Sequence, residues 1–392
     1  MDRIFNAIQS NDLETIKSLL NYTNVNLKLK GIAPIHLATF LNKIEILRYI
    51  LNINNVNINL KGRTLEGKLT ASFIAVRKNK IKCLELLLQK NADVGLNFNP
   101  IPLIHLAASL SNKKAFDLLI DKSDINILDK NGNSTLHKVI KTSSYYYITE
   151  LVRRNANINI QNNLGYTPAL LCCKFGKILH LEYLISTRKC NLNLKTIQGS
   201  NGLHIASKYG KDQIIKILLR NGLDINQVDN FGKNSLHIAA KFGRYFAAQI
   251  LIENGININH LDNQNRTALH LSSQYKYPEM FQIILDSGIN INSQNLDGDT
   301  ATHITARIGD IKGIKILLQN NPNLNILNYQ GKTILDVASN NVKSIILEYI
   351  RSIEKSEVDL LNISSTKSND NSPTYLAFGI KDLTDKIKEN LG

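Results

Sequence analysis

The chain has 392 residues, 43% of them hydrophobic, and a formal net charge of +15. That length exceeds what one compact core normally fills, so several globular domains or one elongated architecture is expected, and the composition is that of a folded chain. No run of about 18 apolar residues could span a bilayer, and the four cysteines (Cys83, Cys172, Cys173, Cys190) form neither a disulfide framework nor a CxxC zinc pair.

Residues 1–32 open with MDRIFNAIQSND, which lacks an apolar signal core, so a soluble cytoplasmic protein is expected. The stretch AIQSNDLETIKSLL within them predicts two short helices. From Ala33 a unit recurs. Its copies start at Ala33, Thr70, Pro102, Ser134, Thr167, Asn201, Asn234, Thr267, Thr300 and Thr333, with gaps of 37, 32, 32, 33, 34, 33, 33, 33 and 33 residues. Three residues after the start stand His36, His105, His137, His204, His237, His270 and His303, so seven of the nine histidines occupy one position.

Each copy reads the same way. The start is mostly Thr, Ser or Asn, which accept a hydrogen bond from the amides of a helix start, and Pro34 and Pro168 follow where a missing N–H costs nothing. A short first helix is therefore predicted. Nine residues on, Gly176, Gly210, Gly243 or Gly309 suits a left-handed helix end. A second amphipathic helix with paired apolar residues (Leu218–Leu219, Leu251–Ile252, Leu317–Leu318) runs to about Gly222, Gly255 or Gly288. Extended segments and a polar turn such as DNFGK then lead to the next start, with Asn226, Asn259, Asn292 and Asn325 expected to bond loop backbone.

GYTPALL (Gly165–Leu171), GKNSLHIAA (Gly232–Ala240) and NRTALHLSS (Asn265–Ser273) resemble the ankyrin-repeat signature G-x-T-P-L-H-x-A-A, and the resemblance covers residues 1–350. It implies an all-α ankyrin-repeat solenoid of stacked helix-turn-helix units with protruding β-hairpin loops. A capping pair at 1–32 and an array of about ten repeats at 33–353 follow from it. Copies two and ten depart from the pattern, with Phe73 and Asp336 in the histidine place. The resemblance further implies that the motif histidine bonds the cap of its own repeat and nearby backbone, a structural role. His180 and His260 stand outside that column and have no partner spacing for a ligand set. No phosphate loop or dinucleotide motif occurs, nor any signature of the enzymes appended to such arrays. No catalytic, metal or cofactor site is expected.

In this family the places left free for a partner are the hairpin tips and the exposed end of the first helix, seven and eight residues after the cap. Here the first of those columns is basic and the second aromatic: Lys174–Phe175, Lys208–Tyr209, Lys241–Phe242, then Gln274–Tyr275, with Arg307 following in the basic column. Rings and cations together make anchors for an acidic or mixed protein surface. The alternative is that the lysines are solvated and the rings cover a neighbouring helix end. Tyr145, Tyr146 and Tyr147 read preferentially as a packed face, and the insertion Leu51–Lys68 as a longer hairpin that reaches outward.

The tail divides into a polar linker, 354–374, and a short helix, 375–392, with Leu383, Ile387 and Leu391 on one face. From Arg351 onward there are six Lys/Arg against seven Asp/Glu, so residues 1–350 carry +16. The reading is a non-catalytic interaction scaffold that binds a protein partner. Its richness in Asn, Ile and Lys is similar to arrays of host-associated bacteria and large DNA viruses, which implies a host-directed role. The alternative is a basic protein associated with nucleic acid or chromatin.

Overall fold

The computed structural model describes residues 1–64, 67–95, 101–142 and 144–365, with 356–365 described by backbone alone. The chain divides into two compact units, Met1–Ile197 and Gln198–Gly392.

The first unit begins with the pair α1 (Asp2–Ser10) and α2 (Leu13–Leu19), where Asp12 caps α2 by accepting from the Thr15 amide. Then come α3 (Pro34–Phe40) and α4 (Ile44–Asn52), the strands β1 (Gly62–Thr64) and β2 (Gly67–Leu69), and α5 (Ala71–Arg77) with α6 (Ile81–Gln89). The pairs α7 (Leu103–Ser109) with α8 (Lys113–Ile120), α9 (Thr135–Val139) with α10 (Tyr145–Arg153), and α11 (Pro168–Phe175) with α12 (Ile178–Ser186) complete it. The first helices α1, α3, α5, α7, α9 and α11 each pack on the next in that order.

The second unit holds α13 (Gly202–Tyr209) with α14 (Asp212–Arg220), α15 (Ser235–Lys241) with α16 (Tyr245–Glu253), and α17 (Ala268–Gln274) with α18 (Glu279–Asp286). The pairs α19 (Ala301–Ile308) with α20 (Ile311–Gln319) and α21 (Ile334–Val337) with α22 (Asn340–Ser365) follow. Here too, first helices stack on first helices and second on second. Each second helix buries one stripe: α14 hides Ile214, Ile215 and Leu218 and leaves its polar residues outside. Each such side chain contributes about 1.5–3 kcal/mol when fully buried, and because a stripe needs a neighbour to cover it, stability accrues by stacking.

The caps explain why the helices start where they do. Thr70, Thr167, Asn201, Asn234 and Thr300 accept from the amide three residues on. Gly176, Gly210, Gly243 and Gly309 take left-handed φ of 69°, 59°, 61° and 68° at the first-helix ends. Copies without that glycine put Asn42, Asn79, Ser111 or Lys276 in the same conformation. Ser143, the substitute in the fourth copy, lies outside the described residues.

The loops are held differently from β-hairpins. Among the described residues only β1 and β2 form a ladder, with Gly62 opposite Leu69 and Thr64 opposite Gly67. Elsewhere an Asp or Asn five residues before the cap organises the turn: Asp229 Oδ1 accepts from the amides of Phe231 and Lys233 at 2.9 and 3.0 Å. Asp129, Asn162, Asp262, Asn295 and Asn328 repeat the arrangement. The loop closes with two backbone bonds, Asp229 N–H to Lys233 O at 2.9 Å and Gly232 N–H to Asp229 O at 3.0 Å. Gly232, at φ 69°, is required there, because a Cβ would sit 2.2 Å from Asn263 Oδ1. The recurring asparagines bond backbone as expected, but of the next repeat: Asn226, Asn259 and Asn292 accept from the amides of Asn257, Asn290 and Asn323.

Helix α22 runs past Ile353, where the sequence reading places the start of a linker, as far as Ser365. Residues 354–361, EKSEVDLL, contain no Gly or Pro and are rich in helix formers, whereas composition alone marks them as polar. The remainder of the expected linker and the expected helix at 375–392 lie outside the described residues.

Candidate protein-interaction groove

The basic column sits in the last turn of the first helices, at Lys174, Lys208, Lys241 and Arg307. A cation there complements the negative end of the helix dipole. The aromatic column follows immediately, so that Phe242 and Tyr275 are themselves the C-cap residues of α15 and α17. None of these side chains is buried. Lys208, Tyr275 and Arg307 are exposed, and Lys174, Phe175, Tyr209, Lys241 and Phe242 are half-buried.

The two columns interlock. In the second unit the Lys208 ammonium lies 5.6 Å from the Tyr209 ring centroid and 5.3 Å from that of Phe242. Lys241 lies 5.6 Å from Phe242 and 5.4 Å from Tyr275. Each lysine therefore bridges its own ring and the ring of the next repeat. In the first unit Lys141 reaches Phe175 at 5.4 Å, and Lys174 lies 5.6 Å from Phe175 and 5.3 Å from Tyr166. Such contacts contribute about 0.5–1 kcal/mol at exposed sites and hold long side chains in place without cancelling their charge. Among the described residues, neither Lys208 nor Lys241 has an ion-pair partner.

Arg307 differs. Its Nη1 and Nη2 donate to both oxygens of the Asp299 carboxylate, at 2.5 and 2.8 Å, and Asn328 Nδ2 donates to Oδ1 at 2.9 Å. Burial alone would raise the Asp299 carboxyl, but these hydrogen bonds hold it below its ordinary value. Tyr166 in the first unit and Arg266 and Asp299 in the second, each one residue before its cap, touch the basic column of their own unit and were not singled out from the sequence. Arg266 donates from Nη1 to Gln274 Oε1 at 3.1 Å, within the basic column. The signal was available in their fixed place before the cap.

Most motif histidines commit both ring nitrogens within the protein. Both ring nitrogens of His137, His270 and His303 are used. Nδ1 meets the cap residue, and Nε2 donates to the carbonyls of Tyr166, Asp299 and Lys332, 29 residues ahead. The cysteines are equally committed to packing: Cys172 and Cys173 are buried, and burial pushes the Cys173 and Cys190 thiols up to about 12 and 11. Among the described residues, no group of three or more His, Cys, Asp or Glu is arranged to hold a metal ion, and no helix is long and apolar enough to cross a membrane.

The tyrosine triplet is packed in part, with Tyr147 buried, Tyr146 half-buried and Tyr145 exposed. Tyr147 is buried edge-on against Phe116 with centroids 4.8 Å apart, Tyr146 donates to Asp117 at 2.5 Å, and Tyr145 meets Tyr183 at 5.2 Å.

The chain matches the model for Ankyrin repeats over residues 4–98, 104–196 and 203–295, and that for a single Ankyrin repeat over 297–329. It is 35% identical over 111 residues to an ankyrin repeat protein of Acanthamoeba polyphaga mimivirus, covering 28% of this chain and 14% of that protein. It is 28% identical over 165 residues to the human transient receptor potential cation channel subfamily A member 1, covering 40% of this chain and 15% of the channel. An ankyrin repeat protein of Fowlpox virus is 28% identical over 113 residues, covering 29% of this chain and 60% of its own length. The chain thus spans less than two thirds of each of these relatives.

Proposed function

The chain belongs to the ankyrin-repeat family, whose repeats mediate protein–protein interaction, and from that premise we propose that it is a non-catalytic scaffold holding an acidic or mixed protein surface. Lys174, Phe175, Lys208, Tyr209, Lys241, Phe242 and Tyr275 are its contact residues, with Arg307 framing the far side. One observation carries the reading: Lys208 and Lys241 are each propped between two rings yet have no carboxylate partner among the described residues. Pre-positioned cations and half-buried rings lose little entropy on binding, which is what an anchor requires. The viral relatives support a host-directed role for it, in the cytoplasm.

The test is affinity capture from a nuclease-treated cell lysate, comparing the native protein with a variant carrying Lys208→Ala, Tyr209→Ala, Lys241→Ala and Phe242→Ala, both shown to be folded by circular dichroism. A protein retained by the first and lost by the second supports the reading, and equal capture contradicts it. Capture that disappears with nuclease treatment, and falls steeply with salt beforehand, would assign the +16 of residues 1–350 to nucleic acid instead.

A further inference from the structure

The insertion between the first two aligned copies builds a cavity in the first unit, of about 350 Å³. The extra residues fold as the β1–β2 ribbon, which lies back against α3. Gly62 rests on the His36 ring so closely that a Cβ there would be 2.7 Å from its Cδ2. Arg63 N–H donates to Gly31 O at 2.8 Å, and the His36 ring bonds Leu60 O at 2.8 Å, which together fix the β1 side of the ribbon. The space left between ribbon and helices is lined by Ile32, Leu37 and Phe40 on one side and by Leu69 and Ile74 on the other.

The polar groups of this cavity are arranged by kind. His36 is buried and uses both ring nitrogens within the protein. Among the described residues, the lining ends in two exposed cations, Arg77 and Lys78, and includes no acidic side chain. Lys78 holds its ammonium 5.6 Å from the centroid of the Phe40 ring, which is itself 49% exposed. Phe40, Arg77 and Lys78 occupy the same two places after the cap as Lys141, Lys174 and Phe175 in the same unit. An extended segment crossing those places would pass over the cavity's mouth. A site of this volume is at the small end of the range of about 300–1,000 Å³ for ligand pockets, suited to a bulky side chain.

We propose that this cavity receives one large apolar side chain from an acidic segment of a protein partner, with the Lys78 ammonium meeting the flanking carboxylates. The apolar lining supplies burial, and the cationic rim selects the flanks. The residues differ from those of the Lys–aromatic groove, so the two proposals stand or fall separately.

The test uses a fluorescein-labelled pentapeptide with phenylalanine between two acidic residues on each side, titrated with the full chain and followed by anisotropy. Controls are the same peptide with alanine at the centre and one with lysines in place of the acids. The phenylalanine peptide should bind saturably, and both controls should bind at least about tenfold more weakly. Phe40→Ala and Lys78→Glu, both at exposed positions and checked by circular dichroism, should each weaken it by about fivefold or more, whereas Lys208→Ala with Lys241→Ala should leave it unchanged. Equal binding of the alanine peptide, or native binding by both variants, would overturn the proposal. Uptake of anilinonaphthalene sulfonate with no peptide binding would assign the cavity to a small amphiphile and overturn it too.

Discussion

His270 Nε2 donates to the carbonyl oxygen of Asp299, 3.1 Å away and 29 residues ahead, while the amide of Thr267 donates to His270 Nδ1 at 3.1 Å. Asp299 in turn holds Arg307 with its carboxylate. One residue thus joins the helix start of one repeat to the exposed last turn of the next repeat's first helix. The last repeat makes the logic plain. Asp336 stands there in the histidine place and accepts from the Thr333 amide and hydroxyl at 2.8 Å, supplying the cap.

Buried neutral histidines make the fold acid-sensitive. Burial pushes His105, His237 and His270 down to about 4 and lowers His36, His137 and His303 below their ordinary value. An unfolded histidine titrates near 6.5, so the unfolded chain takes up protons at a higher pH than the folded one. Stability is therefore fully present above about pH 6.5 and is lost as pH falls toward 4. Carboxylates such as Asp129, held at about 2 against its burial by Lys138 and Asn133, lose their contribution only below about 4. Urea midpoints should fall steadily from pH 7 to 4.5, and a flat profile over that window would refute this assignment.

One histidine is short of a partner. Pro102 is the cap of α7 and has neither an N–H nor a side-chain oxygen, and the buried Nδ1 of His105 is left with no hydrogen bond among the described residues. Pro102→Thr restores both donors found at Thr267. It should raise stability by about 1 kcal/mol, net of the conformational freedom that proline removes from the unfolded chain. An unchanged or lower urea midpoint would show that the orphaned nitrogen carries no cost.

Asparagine caps pose a different problem. His237 Nδ1 lies 2.6 Å from Asn234 Oδ1 while Nε2 lies 2.8 Å from Arg266 O, so the ring faces two acceptors. A neutral imidazole has one N–H and can satisfy only one of them. Threonine relieves the conflict, since its hydroxyl donates to Nδ1, as the 2.8 Å contact in His270 illustrates. Asn234→Thr should therefore stabilise the protein by about 0.5–1 kcal/mol, read from urea unfolding at pH 7.5, and a loss of stability would contradict this account of the cap.

The repeat, the caps and the basic and aromatic columns were legible in the sequence because each is carried by a side chain at a fixed spacing. What bonds one repeat to the next was not. The partner of each histidine's second nitrogen is a backbone carbonyl, which leaves no residue signature, and the asparagines read as local bonds because the backbone amides that donate to them look the same whichever loop they come from. Asp229 and its counterparts were visible but are ordinary turn residues until their two accepted amides are seen. The insertion announced a longer loop. That it folds back on His36 depends on Gly62, whose missing Cβ is a contact and not a pattern.

The Lys–ring ladder is tested most directly by where a partner touches. A photo-crosslinking phenylalanine analogue is placed at Tyr275, and separately at Phe246 on second helix α16, and each protein is irradiated with the captured partner. Phe246 is the more exposed, 67% against 42%, so exposure alone favours crosslinking there. The account predicts an adduct from Tyr275 and none from Phe246. Adducts from Phe246 alone would place the partner on the second helices and contradict the groove.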